Sequence, residues 1–174
     1  MIPGENKSEG SPRKVKFESF LEKFPEVTLP VTLGESTHHE FSLQNEPLNQ
    51  IMIDQYIALY DENEADEFTE FIACFRFPKT EGFHALVFWR AGLMDYRYVL
   101  ATYNKRGEMI AQRIIAGTFS DGKKITQSVA TIDEDWTIGV ASGQSDAVSG
   151  AFDATASTTF SLELMPDGSI ENVI

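Results

Sequence analysis

Six stretches of this sequence carry residue types that could do chemistry. Gly117-Thr118-Phe119-Ser120-Asp121-Gly122-Lys123 is close to a phosphate-binding loop, but Lys124 stands where a Ser or Thr should meet Mg²⁺. That motif also needs a helix N-terminus behind it to aim its amides at phosphate, and here a strand pattern follows. Asp121-Gly122 therefore reads as a hairpin turn. His38-His39-Glu40 is the sole histidine pair, with His84 the third histidine. Adjacent histidines on an extended chain point opposite ways, so they make a poor metal pair without ligands from elsewhere.

Asp61-Glu62-Asn63-Glu64-Ala65-Asp66 has the acidity of a calcium loop. It lacks the glycine and the terminal glutamate that such a loop requires, and reads as solvated acidic loop. Cys74 is the single cysteine, set among apolar neighbours, and reads as a buried, inert thiol. Ser142 and Ser145 lie in ASGQSDAVSG without a nucleophile elbow. None of these supplies a catalytic residue, a metal site or a cofactor site, so the expectation is none of the three.

The sixth group is an aromatic constellation. If residues 91–94 make a four-residue turn, Arg90 faces Asp95, Trp89 faces Tyr96 and Val87 faces Tyr98. Pairing through the turn at 104–107 then sets Tyr98 opposite Arg113. Trp89, Tyr96, Tyr98 and Arg113 would share one sheet face, where rings and a guanidinium stack, and Arg90 and Asp95 would pair on the other. Two readings follow: a packing cluster under a helix, or a candidate binding patch, since Trp, Tyr and Arg dominate interface hot spots. Exposure of Trp89 separates them.

Positioning these residues requires a sheet. From Phe68 onward the apolar period is two, through FTEFIACFRFP, FHALVFWR, YRYVLATYN, MIAQRIIAGTF, KITQSVATI, WTIGVAS, TTFSLELM and SIENVI. The joining segments are too short for helices, and Asp121-Gly122 and Asp167-Gly168 read as type I′ hairpin turns. The expected fold class is α+β: an antiparallel β-meander of about seven to eight strands with two N-terminal helices packed on one face. The first helix places Phe17, Phe20, Leu21 and Phe24 on one stripe and stops at Pro25. VTLPVTL reads as an extended arm or edge strand and residues 34–46 as loop. The second helix starts at Pro47, with Leu48, Met52, Tyr56 and Leu59 on one side, joined by Ile51. Residues 143–157 read as a long mobile loop. Residues 1–14 read as a flexible tail before a single domain at 15–174.

The charge narrows the partners. Basic residues number 14 against 27 acidic, a net −13, and no Lys or Arg follows Lys124. That balance disfavours nucleic acid and anionic membrane surfaces and suits a basic protein partner. No apolar run reaches transmembrane length, so no membrane insertion is expected. As written the chain reads as soluble and cytoplasmic, or as secreted or envelope-associated if an export signal was removed.

FESFLEKFPEVTLP, YVLATYNKRGEMI and the closing PDGSIENV resemble a pattern in small uncharacterised bacterial proteins, many of them envelope lipoproteins. That resemblance implies a short helix with a β-meander, and no activity or site residues. The chain departs from the lipoprotein members in having no lipidation cysteine near its start. Together these features point to a non-catalytic protein-binding or interaction module, of the kind an acidic immunity or inhibitor protein would be. The alternatives are an enzyme using Asp54, Glu70, His84 or the sheet arginines, and an envelope-associated ligand-binding protein.

Overall fold

The computed structural model describes residues 14–173. The tail expected over residues 1–14 falls almost wholly outside them. The chain is α+β, dominated by one antiparallel sheet. Its strands are β1 (Val31–Leu33), β2 (Glu70–Arg76), β3 (Phe83–Ala91), β4 (Asp95–Asn104), β5 (Met109–Ser120), β6 (Lys124–Ile132), β7 (Thr137–Asp146), β8 (Phe152–Leu164) and β9 (Ile170–Val173). β2 to β9 follow one another as neighbours in chain order, and β1 adds to β6. The meander expected from the period-two pattern is the observed one.

The hairpins form at the expected sites by a different device. Of the two central residues in each turn only the glycine takes the left-handed conformation, Gly122 at φ 88° and Gly168 at φ 89°. Asp121 and Asp167 instead accept hydrogen bonds on Oδ1, from the amides of Lys123 and Lys124 and from that of Ser169. These are aspartate-capped turns ending in glycine, not type I′ turns, which would need positive φ at both central residues.

β3 and β4 are apolar on both faces because both faces are covered. On one face lie α1 (Phe17–Leu21) and α3 (Gln50–Tyr56). They pack Phe17, Phe20, Leu21, Phe24, Met52, Ile53 and Ile57 against Leu86, Phe88, Val99, Ala101 and Tyr103. Leu48 and Met52 are buried as the stripe required, but Leu59 and Ile51 are exposed, and Ile53 and Ile57 take their places. On the other face Phe75, Val87, Trp89, Tyr98, Leu100 and Ile115 pack with Leu33, Ile132, Ile138 and Leu162.

Two segments depart from the sequence reading. Residues within 34–46, read as loop, contain α2 (Thr37–Gln44), which sits against β2 and not beside the other helices. Its Phe41 packs on Phe75 and its His38 on Trp89. Beyond it Asn45 donates from Nδ2 to the carbonyls of Ala73 and Cys74, at the irregularity in the β2 ladder. Residues 143–157 form the outer halves of β7 and β8 around a short turn, not a long loop. The ladder passes from Ser142↔Thr158 to Gln144↔Asp153, so residues 154–157 bulge from β8.

Candidate functional site

The β3–β4 turn is shorter than expected, and this resets the aromatic register. Gly92 N–H donates to the Asp95 carbonyl at 2.8 Å, leaving Leu93 and Met94 as the turn. Trp89 therefore faces Tyr98, Arg90 faces Arg97, and Ala91 faces Tyr96. The slip from the expected pairing is two residues, so Trp89, Tyr96 and Tyr98 keep a common face. The 104–107 turn closes one residue later than expected, with Tyr103 facing Met109, and a one-residue bulge at Ile110 then sets Arg113 opposite Leu100; a second bulge at Ile115 brings Ala116 opposite Tyr98.

The four candidate residues are consequently divided. Trp89 and Tyr98 are core, 6% and 2% exposed. His38 stacks on Trp89 with centroids 4.3 Å apart and planes 2° apart, and Tyr96 stacks on it at 5.7 Å. Tyr98 donates its hydroxyl to the Gly34 carbonyl at 3.1 Å, and burial pushes its pKa well above the ordinary phenol value. Burial, with His39 beside it, lowers the His38 pKa, while the Glu35 backbone works in the opposite direction. Tyr96 is about half exposed. Arg113 lies away from the stack, its Nη2 donating to Oδ1 of Asn172 at 2.8 Å.

The buried position of Trp89 has a direct readout. In a Trp136→Phe background, which leaves Trp89 as the single tryptophan, acrylamide should barely quench fluorescence in the native state and quench strongly after denaturation. Quenching in the native state close to that of the unfolded chain would place Trp89 at the surface instead.

The ion pairs also differ from expectation. Arg90 does not meet Asp95. Its Nε donates to Asp61 Oδ2 at 2.8 Å and its Nη2 to the Asn63 carbonyl at 2.9 Å, with both side chains of the pair nearly buried. Asp95 instead accepts from Arg97 on the same strand, Nε to Oδ2 at 2.6 Å.

These arginines line a trough that the sequence did not announce. Two hollows lie side by side, sharing Asn63, Arg97 and Ile114. One, about 360 Å³, has a floor of Ile57, Phe88 and Val99 at the edge of the helix-covered core, with Arg90, Arg97 and Gln112 around it. The other, about 440 Å³, runs past Tyr96, Gly117 and Phe119 to Ser128, Val140 and Phe160 on β6, β7 and β8. Both lie in the size range of ligand pockets. Tyr96, one of the two less buried members of the expected patch, borders the larger hollow, whereas the Arg113 side chain leaves the sheet on the Leu100 face toward Asn172. Ile114, Phe119 and Phe160 were missed. Phe160 shares the strand face of the buried Leu162 and Leu164, so alternation alone hid its exposure, and the bulges in β5 obscured the facing of Ile114 and Phe119.

The groups considered for catalysis do not converge. Asp54 is exposed on α3 and accepts from Gln50 Nε2 at 2.8 Å. Glu70 lies beside His39 and Trp89 at a separate notch. His84 rests against Phe17, and its pKa is lowered by burial, then by Lys105 and Arg76. Cys74 is buried, which pushes its thiol pKa well above the ordinary range. Among the described residues no group of three or more His, Cys, Asp or Glu side chains is placed to hold a metal ion. Nor is any helix among them long and apolar enough to cross a membrane.

The fold and site together define an α+β meander domain with an arginine-lined, partly apolar trough on its sheet. Comparison with protein-family models, with curated proteins and with solved structures finds no match to this chain.

Proposed function

We propose that this domain is a non-catalytic protein-interaction module whose partner seats along the trough. The observation that supports this reading is the exposure of Tyr96, Ile114, Phe119 and Phe160, each roughly half accessible around one hollow. Apolar side chains left open together cost solubility unless something covers them, and such patches mark interaction surfaces. Aromatic residues and arginine are also the types that interface centres favour. Arg90 and Arg97 are already held by Asp61 and Asp95, so ordering them on binding costs little further side-chain entropy.

The surroundings favour a partner that is basic overall. Asp61, Glu62, Glu64, Asp66 and Glu67 gather in the loop beside the trough, within a chain of net charge −13. A rim of this sign speeds encounter with a basic surface, and the apolar centre then holds the complex. An acidic immunity or inhibitor protein works in this way.

Capture from source-cell extract tests the reading. The native chain should retain a partner at physiological salt, and Ile114→Glu should lose it, because a carboxylate would be buried in an apolar contact. Ile114 is half exposed, so the variant should fold. Retention of nothing by the native chain, or of the same proteins by both, would contradict the assignment.

A further inference from the structure

The notch beside His39 and Trp89 is a hollow of about 580 Å³ on the face of the sheet that carries Trp89 and Tyr98. The ladders set Glu70 opposite Ala91, Ala91 opposite Tyr96 and Tyr96 opposite Thr118, so these residues make one cross-strand row on that face. Ile72 and Trp89 stand in the row behind it. The opposing wall is α2 with the residues leading into it, and brings Glu35, His38 and His39. That wall is held at both ends. Tyr98 donates to the Gly34 carbonyl, and Asn45 donates to the carbonyls of Ala73 and Cys74. Stacking of His38 and Tyr96 on Trp89 ties the wall to the sheet. The hollow is thus formed in the free chain, and filling it requires little ordering.

Its charge is one-sided. Glu35 and Glu70 line it and no Lys or Arg does. Among the described residues neither carboxylate has an ion pair or a hydrogen bond. Burial lowers the His38 pKa, so that ring adds no positive charge at neutral pH. The carboxylates and histidines do not converge as a metal site requires. Between them the lining is apolar: Ile72, Trp89 and the half-exposed Tyr96 ring. A ligand matching this lining carries positive charge at two separate points and hydrocarbon between them. We infer that the hollow binds an aliphatic diamine or polyamine, one ammonium against Glu35, another against Glu70, and the methylene chain across Ile72 and Tyr96. Each ammonium has three donors, enough for a carboxylate and for the hydroxyls of Ser42 and Thr118 at the margin. Methylene burial and the Tyr96 ring add to ion pairs that would be weak in open solvent. This site is independent of the partner proposed for the trough.

Titration of the isotope-labelled native chain with putrescine at physiological salt, followed by NMR, tests the site. Amide signals of residues 35–42, 70–72, 96 and 118 should shift saturably, and those of the acidic loop 61–67 should not. Glu35→Gln and Glu70→Gln should each weaken binding about threefold, and together about tenfold, the scale of lost ion pairs near the surface. Glu171→Gln, at an exposed position on β9, should change nothing. Propylamine, with one ammonium, should bind at least about threefold more weakly than putrescine. Equal affinity in all the variants, or shifts spread over residues 61–67, would overturn the site and leave only the diffuse ion atmosphere of a chain of net charge −13. Propylamine binding as tightly as putrescine would overturn the two-point contact. Ile114→Glu should bind putrescine as the native chain does, so failure of the notch and failure of the trough are read separately.

Discussion

Gly117→Ala will destabilise the domain by at least about 3 kcal/mol, in the range reserved for strained or overpacked positions. Gly117 has φ 145°, and a Cβ there would lie 2.0 Å from the Tyr96 carbonyl oxygen and 2.8 Å from the Arg97 Cα. Both are backbone atoms that no rotamer change can move aside. The position is also where β5 begins to pair on both edges, with Arg97 of β4 and Ser128 of β6. Adding a methyl group therefore forces β4 and β5 apart beneath the trough. Gly122→Ala is the matched control: it has φ 88° but open space around the added atom, and should cost only about 1 kcal/mol. Urea denaturation monitored by circular dichroism measures both. A Gly117→Ala midpoint no lower than that of Gly122→Ala would contradict the close approach of the two strands.

Asp61→Ala should cost about 3–5 kcal/mol, because it strands a buried guanidinium. The side chains of Arg90 and Asp61 are 6% and 11% exposed, and the other end of Arg90 is held by the Asn63 carbonyl and lies near the Phe71 ring. Water cannot easily replace the lost carboxylate. If the cost comes from the unpaired charge, removing the charge as well should restore most of it. The double variant Asp61→Leu/Arg90→Met should lie within about 2 kcal/mol of the native chain, since apolar replacements of buried pairs are often nearly neutral. Thermal unfolding of the three proteins decides this. A double variant as unstable as Asp61→Ala would show that the carboxylate serves the loop, through its bond to the Asn63 amide, more than it serves Arg90.

How much of this was legible follows from where the information resides. The meander could be read because alternation and glycine-bearing turns are local signals. The helix at Phe17–Leu21 could be read because its phenylalanines recur at helical spacing. The helix Thr37–Gln44 could not: THHEFSLQ has no apolar stripe, and what holds it is contact with β2 and β3 through Phe41 and His38. The strands at 143–157 were hidden by small residues, whose ladder is set by β6 alongside β7 and not by their own side chains.

The site shows the same division. Three aromatic residues were placed on one face correctly because a two-residue slip preserves facing. Their exposure was beyond the pattern, since it depends on α2 and β1 arriving over Trp89 and Tyr98. Arg113 was misplaced by a turn that closes one residue late and by a bulge at Ile110 that no turn residue marks. The trough needs both bulges in β5, the loop from Asp61 to Asn63 and three later strands at once, so it becomes visible only in three dimensions.

Hydrogen exchange on the complex of the native chain with its captured partner tests the trough most directly. The amides of residues 95–97 and 114–119 should gain protection, while those of residues 35–42, beside the His38–Trp89 stack, should exchange as in the free chain. Protection confined to residues 35–42, with the trough unchanged, would contradict the account.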